Sequence, residues 1–78
     1  MQEQLTEAAG WVGVLCILGA YGALSFGYLE ATSVWYHGIN LVGGVGIIID
    51  AVADKNYQPA VLNIVWIAFA VFAILRLV

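Results

Sequence analysis

The side chains with chemistry to offer are few, and they lie in apolar surroundings. Asn40 and Asn63 each place an amide in a run of hydrophobic residues, while His37 and Asp50 add one imidazole and one carboxylate. An amide at membrane depth has two uses: it bonds to a neighbouring helix, or it lines a site for a polar, uncharged ligand. Because the two uses predict different functions, the elements that position the asparagines decide between them.

Catalytic and metal-binding patterns are not found in the sequence. His37 has no cysteine or second histidine at ligand spacing, and no nucleophile stands beside a base. The segment 43–46, GGVG, lacks the lysine and serine of a phosphate loop. The sequence therefore predicts a protein that is not an enzyme, with no cofactor and no metal.

The composition is that of an integral membrane protein. The chain has 78 residues, of which 64% are hydrophobic and 9% charged, against roughly a quarter charged in an ordinary soluble domain. A soluble domain of this size has too little interior to hide so much apolar surface. The net charge is -3 and no basic patch is present, so nucleic acid is not an expected partner.

Three apolar runs predict three membrane-spanning helices, at about 8–29, 34–53 and 59–77, within a single domain 1–78. A run of about 20 residues spans the hydrocarbon core. Ser33 or Thr32 is the expected N-cap of the second helix, and Pro59 fits the first turn of the third. Short loops make successive helices antiparallel. The predicted fold is an all-α three-helix membrane bundle with its termini on opposite sides.

Small and polar residues predict how the helices pack. Gly19, Ala23 and Gly27 form a small-residue stripe at four-residue spacing on the first helix, and this stripe is expected to contact another helix. The expected inner seam of the bundle combines aromatic, hydroxyl, amide and glycine residues. Its members, which pack helices or line a pocket, are Tyr21, Ser25, Asn40, Gly44, Asn63 and Trp66.

Several motifs carry a family resemblance over nearly the whole chain from Gly10. They are GWVG, AYGALSFG, INLVGGVGI, a polar turn and QPAVLNIVWIAFA. Together they resemble a Coxiella-type family of small bacterial three-helix membrane domains of unknown function. The residues that match best are Tyr21, Asn40, Gly43, Pro59, Asn63 and Trp66.

The outline is also similar, more distantly, to the SemiSWEET half-transporters, which use three helices per chain and work as dimers. That resemblance implies a pocket asparagine on the third helix, where Asn63 stands. The first helix here lacks the proline–glutamine motif that serves that family as a hinge. The resemblance therefore implies the outline of the fold more than it implies transport.

Two functions follow from these patterns. The favoured one is an accessory or structural subunit of a larger membrane complex, for example a photosynthetic or respiratory one, in the bacterial inner membrane. Its partners are then the lipid bilayer and other transmembrane helices, or a second copy of the chain. The alternative is a homodimeric half-transporter of a small neutral solute, with Asn40, Asn63, Trp66 and Tyr21 around the pocket. Orientation stays open because Lys55 and Arg76 fall on opposite sides.

Overall fold

The computed structural model describes residues 2–78, so residue 1 of the predicted domain lies outside the described residues. Three helices account for most of the chain: α1 (Gln2–Ser25), α2 (Val34–Ala53) and α3 (Tyr57–Leu77). Each is long and apolar enough to cross a membrane. The chain measures 37 × 22 × 18 Å, and its long axis suits a hydrocarbon core of about 30 Å. The predicted all-α three-helix bundle is confirmed.

The middle helix holds the fold together. Within residues 2–78, α2 packs against both α1 and α3, whereas α1 and α3 do not contact each other. The pairs Gly10–Asp50 and Gly13–Gly43 show that α1 and α2 run antiparallel. The start of α1 and the α2–α3 turn therefore share one end, and the α1–α2 loop and the C-terminus share the other.

α1 is shifted towards the N-terminus relative to the predicted span 8–29. It begins at Gln2, where Glu3 complements the positive end of the helix dipole. It ends at Ser25 because Gly27 adopts φ +87°. The amide of Gly27 donates to Leu24 O at 3.1 Å and that of Tyr28 to Ala23 O at 2.8 Å. This is a Schellman motif, in which glycine is favoured at the left-handed position.

Both ends of α2 are also fixed by local hydrogen bonds. Ser33 is the N-cap, and its side chain accepts from the amide of Trp35 at 3.1 Å. At the other end, Lys55 takes the left-handed position with φ 57°. The amides of Lys55 and Asn56 then return to Val52 O and Ala51 O in a second Schellman motif.

α3 begins at Tyr57, two residues before the predicted span. Pro59 stands in its first turn as predicted, where the missing N–H leaves no intrahelical hydrogen bond unmade.

Small residues make up the interior. The buried apolar residues are Ala20, Ala51, Ala60 and Ala70, and no large side chain within residues 2–78 is fully buried. Large apolar side chains instead cover the outside of all three helices. This arrangement fits a membrane-spanning protein, because lipid solvates large apolar side chains while small residues let helix backbones approach closely.

The contact between α1 and α2 is made through glycines. A Cβ on Gly43 would lie 2.8 Å from Gly13 O, and one on Gly13 would lie 2.9 Å from Ile47 N. Real Cβ atoms do not come this close to backbone atoms, so the two backbones are in direct contact. Side chains larger than hydrogen at either position would push the helices apart.

The predicted stripe of Gly19, Ala23 and Gly27 is not the face that meets α2. A Cβ on Gly19 would meet nothing within 4 Å, and Gly27 lies beyond the end of α1 in the Schellman motif. Within residues 2–78 no helix lies against Gly19, and contact of this stripe with a helix of another protein stays a prediction. α2 instead packs on Gly10 through Asp50 and on Gly13 through Gly43, on a different face of α1.

Candidate functional site

Both asparagines are buried, and each donates a hydrogen bond within its own helix. Asn40 is 3% exposed and Asn63 6% exposed. Asn40 Nδ2 donates to Tyr36 O at 2.9 Å, and Asn63 Nδ2 donates to Pro59 O at 2.8 Å. In both cases the acceptor is the carbonyl four residues earlier. Among residues 2–78 neither amide bonds to a neighbouring helix, so the expected interhelical hydrogen bonds are absent there.

Asn63 instead fills the seam between α2 and α3. A Cβ added to Gly44 would lie 3.6 Å from Asn63 Oδ1 and 2.9 Å from Ile67 Cγ1. The absence of a side chain at Gly44 is thus what admits Asn63 and Ile67. Of the predicted seam, Gly44 and Asn63 do meet.

Asn40 and Trp66 both line a groove of about 180 Å³ between α2 and α3. We call it the α2–α3 groove. It is lined by Tyr36, His37, Asn40, Trp66, Phe69 and Ala70. Asn40 is the buried polar member, whereas Trp66 and Phe69 are 43% and 66% exposed. The groove thus has a polar atom at its base and aromatic rings at its rim.

His37 supports this groove from the loop side. Its Nε2 lies 2.7 Å from Ala31 O, and because a carbonyl only accepts, Nε2 is the nitrogen that carries hydrogen. The His37 ring also stands edge-on to Tyr36, with ring centroids 5.2 Å apart and planes at 78°. These contacts fix the imidazole between the α1–α2 loop and the groove.

Tyr21 and Ser25 do not join the other members of the predicted seam. Tyr21 is 62% exposed and Ser25 is also exposed. α1 meets α2 through the face that carries Gly13 and Ala20. Because successive residues of a helix are rotated by about 100° about its axis, Tyr21 and Ser25 lie on other faces. Since α1 does not contact α3 in the described part of the chain, both side chains stay exposed there.

A second concave site was not foreseen from the sequence. It is a cleft of about 670 Å³ at the end where α1 begins, and all three helices and the α2–α3 turn contribute to it. Four of the five carboxylates of the chain line it, from Glu3, Glu7, Asp50 and Asp54. The sequence did carry a signal for it, because antiparallel helices place the start of α1 and the α2–α3 turn at the same end of the bundle. Among residues 2–78 no three His, Cys, Asp or Glu side chains are grouped to hold a metal ion.

Comparison with known proteins places the chain in a family. One family model matches residues 6–78, which is nearly the whole chain. The chain belongs to this Coxiella-named family. No curated protein and no solved structure matches it.

The structure gives separate roles to the positions that carried the resemblance to the Coxiella-type family. Asn40, Gly43 and Asn63 are buried where α2 packs against its two neighbours. Pro59 lies in the first turn of α3. Tyr21 and Trp66 are exposed. The buried positions of this family member thus hold helices together, and the exposed aromatic ones face its surroundings.

Proposed function

We propose that this protein is a non-enzymatic subunit of a larger complex in the bacterial inner membrane, where it packs against transmembrane helices of other proteins. The observation that carries the proposal is a face of α1 that nothing in residues 2–78 covers. A Cβ on Gly19 or on Gly22 would meet no atom within 4 Å. Small residues in membrane helices allow the backbones of two helices to approach closely, whereas contact with lipid chains does not require them.

The packing within the chain supports the same proposal. The seam between α1 and α2 is closed by direct backbone contact at Gly13 and Gly43. Among residues 2–78, α2 is the helix that α1 packs against, and the other faces of α1 are open there. A helix of this kind is suited to lie between α2 and a helix of a partner.

The test is comigration. The tagged protein, extracted from its native membrane with mild detergent, is expected to run with a large complex on a native gel. Gly19→Leu is expected to release it, because its Cβ would meet no atom of residues 2–78 within 4 Å and the new side chain would occupy the open face of α1. Leu15→Ile, on an exposed part of the same helix, is the matched control and should stay bound. Recovery of the unmodified protein only as a free small oligomer would contradict the proposal.

A second candidate function is a homodimeric half-transporter for a small neutral solute. The presence of both Asn40 and Trp66 in the lining of the α2–α3 groove favours it, since amide and aromatic groups together suit polar uncharged ligands. The test is uptake of a panel of solutes into liposomes that contain the purified protein. Uptake that Trp66→Ala abolishes and Phe72→Ala, on an exposed part of α3, leaves intact would support this candidate. Uptake no greater than in empty vesicles would dismiss it.

A further inference from the structure

We propose that the α2–α3 groove binds a membrane-resident amphiphile, namely an uncharged molecule whose ring carries a hydroxyl group. This inference goes beyond the proposed function, because it concerns a ligand taken from the bilayer and not a partner helix. It stands on three features of the groove: its depth, its free acceptor and its aromatic rim.

The depth of the groove places it just beneath the headgroups. Asn40 lies six residues after Val34, the first residue of α2, which is about 9 Å along the helix axis. The groove is lined only by α2 and α3, and the exposed rings of Trp66 and Phe69 flank it. Because these rings lie well inside the helices, the groove opens towards lipid and not towards the aqueous ends of the bundle.

The base of the groove offers a hydrogen-bond acceptor. Asn40 is 97% buried, and its only hydrogen bond among residues 2–78 is the one that Nδ2 donates to Tyr36 O. Its Oδ1 is therefore an acceptor without a partner in that part of the chain. Hydrocarbon cannot supply a donor to such an oxygen, whereas a hydroxyl group can.

His37 also lines the groove. Its Nε2 is engaged with Ala31 O, so this nitrogen is already bonded within the chain. The acceptor that the groove offers to a hydroxyl group is therefore Asn40 Oδ1.

The size and walls of the groove select a ring. Its volume of about 180 Å³ is below the roughly 300 Å³ at which pockets for whole small molecules begin. It therefore holds a head of about one ring while the tail stays in the lipid. The rim of Tyr36, Trp66 and Phe69 offers edge-to-face and stacking contacts to an aromatic head.

A matched pair of probes tests the proposal in the full chain. The ¹⁵N-labelled protein in phosphatidylcholine nanodiscs is titrated with 4-octylphenol and, separately, with octylbenzene, which differs only by the hydroxyl. We expect a saturable shift of the Asn40 side-chain amide with octylphenol and none with octylbenzene. Asn63 is an internal control, because it is equally buried and bonded but does not line the groove.

Variants and a third probe complete the test. Asn40→Ala should weaken octylphenol binding about fivefold to tenfold, the value of one hydrogen bond, whereas Phe72→Ala, on an exposed part of α3 outside the groove, should leave it unchanged. Equal shifts with octylphenol and octylbenzene would overturn the proposal without reliance on any variant. Dioctanoylglycerol separates ring-bearing amphiphiles from glycerolipids that also carry a hydroxyl. Binding of dioctanoylglycerol as tight as that of octylphenol would overturn the requirement for a ring.

Discussion

At the scale of the residue, the smallest side chains carry the tightest contacts. Gly13 and Gly43 bring two helix backbones together, and Gly44 makes room for Asn63. Each asparagine donates one amide hydrogen within its own helix, so within residues 2–78 these amides form no hydrogen bond from one helix to the next. The contact between the helices therefore depends on shape.

The glycine contact leads to a prediction about stability. Gly43→Ala should destabilise the protein by roughly 1–3 kcal/mol, because the new methyl group overlaps the backbone at Gly13 and cannot be accommodated without moving a helix. The measurement is unfolding in detergent micelles followed by circular dichroism. Gly38→Ala, where a Cβ meets nothing within 4 Å, should leave stability unchanged or raise it by up to about 1 kcal/mol. Equal effects of the two substitutions would contradict the prediction.

At the scale of the element, the ends of the helices are set by backbone hydrogen bonds in two Schellman motifs. The first has glycine at the left-handed position and the second has lysine, Lys55. Lysine pays a steric penalty in this conformation that glycine does not. The α2–α3 turn is therefore less stable with lysine at position 55 than it would be with glycine.

Lys55→Gly is accordingly expected to stabilise the protein by about 1 kcal/mol. Lys55→Ala is the matched control, since it removes the same charge but keeps a Cβ at φ 57°, and it should give no such gain. Unfolding in micelles measures both. If Lys55→Ala stabilises as much as Lys55→Gly, the charge and not the backbone conformation is responsible.

At the scale of the whole molecule, the antiparallel order of the helices divides the polar residues between two ends. Glu3, Glu7, Asp50 and Asp54 gather in the cleft where α1 begins. The opposite end holds the α1–α2 loop with Glu30 and the last turn of α3 with Arg76. There the Cζ atom of Arg76 lies 5.8 Å from the centroid of the Phe72 ring. The first end carries these four carboxylates against Lys55, whereas Glu30 and Arg76 balance each other at the second, so one end is acidic and the other nearly neutral.

This arrangement predicts which positions a membrane-impermeant reagent reaches together. In a background of Cys16→Ala, Glu3→Cys and Asp54→Cys should react with an impermeant maleimide from the same side of sealed vesicles. Glu30→Cys should react only from the other side. Each of the three positions is exposed, so access depends on the membrane and not on burial. Labelling of Glu3→Cys and Glu30→Cys from one side would contradict three spans.

The main features of the fold could be predicted from the sequence because they depend on local patterns. Apolar runs of about 20 residues indicate three spanning helices, and Ser33 and Pro59 mark where two of them begin. The motifs that resemble the Coxiella-type family likewise predicted a family that the comparison confirmed. Burial of an amide in lipid is costly, which is why both asparagines were expected to face inwards and both are buried.

The tertiary structure alone decided which faces meet. Two sets of small residues on α1 have similar spacing, and only the fit to α2 selects Gly10 and Gly13 over Gly19 and Ala23. That choice leaves Tyr21 and Ser25 outside, brings Asn40 and Trp66 to one groove, and collects the carboxylates at one end. The physical reason is that hydropathy and length report on each helix separately, whereas packing depends on the shapes of two helices at once.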